Sequence, residues 1–196
     1  MMIDFDVNAE NIEKSEPISY EELLTFQKEL GIDLPPSFFE FKKKYADSFY
    51  ISTGNVLEIF PLCKNKTGTF TNIVDITKDY AHIGNILMSH KLLIFGMSGV
   101  DSETWAFYVN KKYPNGEYPI LWISPGEEIF FFHSTNFESF INIQYKVLTT
   151  DIDEGYDEYY QAQVEKYDKD IKSFGYDSIY SKSHSLKDLH SIMSEI

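Results

Sequence analysis

The chain has 196 residues, 16% of them aromatic, and sets 17 lysines against 31 aspartates and glutamates for a formal charge of −14; it contains no arginine. That length suits one large domain with or without an appendage, and so many rings exclude a disordered chain. Bidentate guanidinium clamping of phosphate or guanine is excluded, and an acidic surface repels nucleic acid and anionic membranes at long range, so a basic partner suits it.

The N-terminus, Met1 to Asp6, is acidic and has no apolar run of signal-peptide length. No stretch approaches the roughly 18 apolar residues of a membrane span. A reducing cytoplasm is therefore the expected location. A first helix is predicted after Ser19, because Ser19 and Glu22 have capping-box spacing, with Ile18 and Leu23 as the staple. Leu23, Phe26 and Leu30 share one face, and Gly31 supplies a left-handed stop. Pro35 holds Leu34 out of helical geometry, and Pro36 opens a second helix. Phe38, Phe41 and Tyr45 form its apolar face, and Lys42, Lys43 and Lys44 read as a solvated side matched to the helix C-terminus.

Residues 56–62 read as a strand ended by Pro61. Cys63 follows. A lone cysteine excludes an internal disulfide and any zinc site of several thiolates, and it reads as a buried structural thiol. A short helix is expected within 74–84 and a buried strand at 91–96. Trp105, Phe107 and Val109 then alternate with Ala106 and Tyr108. After the turn Pro114-Asn115-Gly116, Tyr118, Ile120 and Trp122 alternate with Leu121 and Ile123, and a further turn leads into Ile129–Phe132. Short turns join antiparallel neighbours, so this is a meander. Thr135 and Glu138 repeat the capping-box spacing ahead of a helix bearing Phe137, Phe140, Ile141, Tyr145 and Leu148. Past a linker at 149–155, Tyr160, Val164, Tyr167, Ile171 and Phe174 mark another helix stopped by Gly175. A last short helix carries Leu186, Leu189, Met193 and Ile196, after a second linker within 175–185.

Helices, strands and helices without βαβ alternation give the α+β class, a mainly antiparallel twisted sheet with flanking helices and a helical C-terminal extension. Acidity is concentrated at the flanks: residues 1–22 and 151–170 each carry a net of −6, and residues 23–150 only −2. The organisation expected is an acidic segment at 1–17, an α+β domain at 18–148 that closes a core by itself, and an acidic helical extension at 149–196.

No catalytic set is expected. Gly96-Met97-Ser98-Gly99 lacks the glycine two residues after serine that a nucleophile elbow needs. It also lacks the endings of a phosphate-cradling loop. Asp151, Asp153, Asp157 and Glu158 miss the ligand positions of a calcium loop. His82, His90, His133, His184 and His190 form no ligand pair at helical spacing. Neither a metal nor a cofactor is expected.

The order of motifs carries more than any one of them. A capped helix precedes Leu34-Pro35-Pro36-Ser37-Phe38-Phe39-Glu40-Phe41 and a strand ending in Phe60-Pro61. Leu92–Gly96, the acidic loop Asp101-Ser102-Glu103, Trp105-Ala106-Phe107, Glu117–Ile120 and a closing helix at Phe137–Phe140 follow. Over residues 18–148 this resembles the SUKH superfamily, which includes the fungal regulator of cell-wall glucan synthesis and many bacterial immunity proteins. Ala46-Asp47-Ser48-Phe49 stands where a glycine pair is often found, and residues 151–196 run past the usual end.

The resemblance implies a non-enzymatic binding role. The expected partner is a basic toxin, such as a nuclease, that the chain binds and neutralises; the alternative is a cytoplasmic scaffold or regulator of the fungal type. Strands 105–109 and 118–123 carry aromatics on both faces. One face packs on helices, and the other is expected to expose rings beside carboxylates, making Asp101, Glu103, Trp105, Glu117 and Tyr118 the candidate partner-binding residues. Helices on both faces, with the acids merely solvated, is the other reading of the same pattern.

Overall fold

The computed structural model describes residues 2–53, 56–62, 72–73, 91–98, 103–124, 126–151, 155–169, 171 and 182–195. Cys63, Asp101 and the helix expected within 74–84 lie outside them. Among the described residues the chain is α+β, with one sheet of eight strands in which each strand pairs antiparallel with the next in chain order. The strands are β1 (Ile12–Lys14), β2 (Phe49–Ser52), β3 (Val56–Ile59), β4 (Leu92–Ser98), β5 (Thr104–Tyr108), β6 (Ile120–Ser124), β7 (Ile129–Ser134) and β8 (His184–Ser185). Five helices accompany it among the described residues: α1 (Tyr20–Leu30), α2 (Pro36–Lys44), α3 (Phe137–Thr149), α4 (Tyr156–Tyr167) and α5 (Leu189–Glu195), the last entered through a 3-10 turn at Leu186–Asp188.

Helix α1 starts as its sequence dictates. Ser19 accepts from the Glu22 amide, and the Glu22 carboxylate accepts from the Ser19 amide at 3.1 Å. Gly31 closes it at φ 66°, where a Cβ would be strained. Helices α2 and α3 lay their phenylalanines on one side of the sheet, the helix face. Phe38 meets Phe137 at 4.8 Å and Phe107 at 5.2 Å between ring centroids, and Phe95 stacks on Phe107 at 4.3 Å. Each such ring pair adds about 0.5–1.5 kcal/mol beyond its buried area. The register of β4 on β5 shifts between Ile94 and Gly96, a bulge that lets Phe95 point into this cluster. Gly96 runs so close to β3 that a Cβ there would lie 2.4 Å from the Glu58 carbonyl oxygen.

Three local expectations give way to longer-range contacts. Lys42 is not solvated: its side chain is fully buried, its Nζ donates to the Phe60 carbonyl at 2.6 Å and to the Asp47 carbonyl, and it lies 5.0 Å from the Phe38 ring. Position 42 is four residues beyond Phe38 and so shares its stripe; Lys43 and Lys44 face water and pair with Glu40. Thr135 does not cap α3, because its amide and hydroxyl both donate to the buried Asp168 carboxylate at 2.6 Å, and Asn136 caps instead, accepting from the Ser139 amide at 2.8 Å. That same bond ends α4 early. Asp168 leaves helical geometry at φ −119°, ψ 75° to reach Thr135, so Ile171 is not a further turn of α4, and the Gly175 stop lies outside the described residues.

Strands β1 and β8 span three and two residues, too few to show a period, and the four-residue β2 offers only one short alternation. The N-terminal segment is also tied down: Phe5 stacks on Tyr145 at 4.0 Å, and the Asp4 amide donates to Asn142. Beyond residue 148, Val164, Ile171, Leu186, Leu189 and Met193 are buried in the same apolar cluster as the helix-face phenylalanines.

Candidate protein-binding surface

Residues directly opposed in an antiparallel ladder point to the same side of a sheet. One lateral row on the side away from α2 and α3, the far face, therefore reads Glu13, Tyr50, Glu58, Met97, Thr104, Ile123, Phe130 and His184 across all eight strands. Its two halves differ. Strand β5 is buried at every residue, whereas β2 and β3 alternate, with Phe49, Ile51, Leu57 and Ile59 inside and Tyr50 and Glu58 half-buried on the far face.

The C-terminal segment makes the difference. The Tyr108 hydroxyl and His190 Nδ1 share a 2.7 Å hydrogen bond, Lys111 Nζ donates to the Met193 carbonyl at 3.1 Å, and His184 lies against the Phe130 ring at 5.5 Å. Strand β8 extends the sheet beside β7, and the 3-10 turn and α5 that follow it cover the far face of β5–β7. At the other end, β1 is the sheet's edge, and a groove of about 500 Å3 opens along β1–β3, lined by Glu13, Lys14, Ser15, Ser48, Phe49, Tyr50, Glu58 and Ile59. Burial pushes the Glu58 carboxyl above its usual pKa.

The residues expected to form a binding patch are dispersed. Trp105 is 6% exposed, on the helix face, with its ring 4.9 Å from His133 and 5.1 Å from Phe140. Odd positions of β5 face α3, so this ring belongs to the core rather than to an open face. Glu117, also 6% exposed, accepts from the Ser37 amide at 2.7 Å and the Ser37 hydroxyl at 2.8 Å, at the N-terminus of α2. A backbone bond from Phe137 ties it to the start of α3 as well. Burial raises its pKa, and those donors pull it part of the way back. Its carboxylate thus serves two helix N-termini. Tyr118 is 4% exposed. Of the described candidates Glu103 alone keeps partial access: it accepts from Trp122 Nε1 at 3.1 Å and Ser98 Oγ at 2.8 Å, and Trp122, half-buried, meets the edge of Phe131. Glu103 and Glu117 stand at opposite ends of β5, so they form no single patch.

Sequence reading missed Glu13, Tyr50 and Glu58. For Tyr50 and Glu58 the signal was present in the two short alternations Phe49-Tyr50-Ile51-Ser52 and Val56-Leu57-Glu58-Ile59, each apolar inward and polar outward. His133, by contrast, is a core residue: burial drives its pKa down to about 3, and its Nε2 pairs with Gln144 at 2.7 Å. Among the described residues no group of three or more potential metal ligands occurs, and no helix is long and apolar enough to cross a membrane.

A family model described as the SMI1 / KNR4 family (SUKH-1) matches residues 17–143. No curated protein matches the sequence.

Proposed function

The chain belongs to the SMI1 / KNR4 family (SUKH-1), and from that premise we propose that it is a non-enzymatic, cytoplasmic protein-binding module, an immunity protein that neutralises a basic toxin. The observation that carries this reading is the uneven covering of the sheet: an aromatic and two carboxylates face an open groove on a chain of formal charge −14. A nuclease that grips phosphate is typically basic, so an acidic binder is steered toward it and occupies the surface that would otherwise meet nucleic acid. Family membership supports an immunity role and a cell-wall-regulator role alike. The charge favours the first, because opposite fields accelerate encounter with a basic protein.

The test is co-expression with a toxin encoded beside this gene. Survival with the full chain, together with a stable complex whose association slows as salt rises, supports the reading. A complex that forms only with signalling proteins of cell-wall synthesis overturns it in favour of the regulator.

A further inference from the structure

The groove has chemistry that the covered half of the far face lacks. Tyr50 lies on the middle of three strands, with Glu13 directly opposite on one side and Glu58 directly opposite on the other. Alternate strands are separated by roughly 10 Å, so the two carboxylates rise on either side of one ring. That span is too wide for a single metal ion, whose oxygen ligands sit at about 2.3–2.6 Å. It suits a longer organic cation lying across the ring, attracted by its π-face and hydrogen-bonded by an acid at either flank. Lys14 also lines the groove, but it opposes Phe49, which directs its side chain away from the far face. The burial that raises the Glu58 pKa marks a carboxyl that a cation would hold ionised.

We propose that this groove receives a lysine or arginine side chain of a basic protein partner, with Tyr50 as its floor and Glu13 and Glu58 as its walls. The assignment rests on the binding role argued above and adds to it a place and a chemistry. One such anchor is a small part of an interface that covers about 800 Å2 on each side in a typical complex.

Fluorescein-labelled octalysine, titrated into the full-length protein at low salt and followed by anisotropy, tests the site. Glu13→Gln with Glu58→Gln is expected to weaken binding about tenfold, the loss of two partly exposed charge pairs. Tyr50→Leu keeps the strand apolar and is expected to cost about two- to fivefold. Glu21→Gln with Glu29→Gln, the same charge change on α1, should stay within twofold of wild type. Equal weakening by the two double variants, or no change with Tyr50→Leu, overturns the groove in favour of generic charge attraction. Any basic toxin encoded beside the gene is measured in parallel. If it binds and the groove variants bind it as tightly as wild type, the groove is wrong and the binding role stands. If it does not bind while the octalysine contrast holds, the immunity role fails and the cation site stands.

Discussion

The two halves of the far face are built from one continuous ladder and end in opposite states. Over β5–β7 the face is sealed by Leu186, Leu189 and Met193, all of them beyond the 17–143 family match. Over β1–β3 no such apolar row occurs among the described residues, and Tyr50 and Glu58 reach solvent. The sealed half reads as apolar on both sides of β5, with Ala106 and Tyr108 on one and Trp105 and Phe107 on the other. The open half alternates. A doubly apolar strand requires two covering layers, whereas an alternating one needs only one and leaves the other side for a partner.

Removing the seal should have the largest effect. A chain ending at Leu148 loses the burial of Val164, Ile171, Leu186, Leu189 and Met193, on the order of 10 kcal/mol at about 1.5–3 kcal/mol for each side chain. That equals the whole stability of a typical domain. Thermal unfolding should lose its cooperative transition; a sharp transition would show instead that residues 18–148 close a core alone. Within the intact chain, Leu189→Ala should cost about 2–5 kcal/mol in denaturant unfolding, since it opens a cavity against the sheet.

Acid distinguishes the buried layer from the open groove. His133 stays neutral when folded, down to a pKa of about 3, but takes a proton near 6.5 when unfolded. Stability is therefore lost as pH falls from about 6.5 toward 3, at up to about 1.4 kcal/mol per pH unit. Glu58 and Glu117, whose carboxyls burial pushes up, act in the opposite direction, so the comparison of wild type with His133→Gln isolates the imidazole. Urea unfolding at pH 7, 5.5 and 4.5 should show the variant losing less stability on acidification. The smallest effect belongs to the open half. Tyr50→Ala should change stability by about 0.5 kcal/mol or less, because its ring is only half-buried; a loss above 2 kcal/mol would mean that this face is packed after all.

The helices and the central strands were legible because their signals are local. Ser19, Glu22 and Gly31 fix both ends of α1 within a dozen residues, and the meander announces itself in two alternations and a glycine turn. The family resemblance, drawn from the order of those motifs, agrees with the match over 17–143. The candidate surface was not legible in the same way. Trp105 and Glu117 look like a binding ring and a binding acid until α3 lies on one and Ser37 donates to the other.

The sequence by itself determined the class of the fold, the caps, the acidic balance and the family, since each depends on neighbours along the chain or on composition. Only the tertiary structure decided which side of the sheet meets water. That depends on where α5 packs on the sheet, and on contacts such as Asp168 with Thr135 and Lys42 with Phe60 that join residues remote in the chain. No local period encodes such meetings, because burial of a side chain is settled by whatever the rest of the chain places over it.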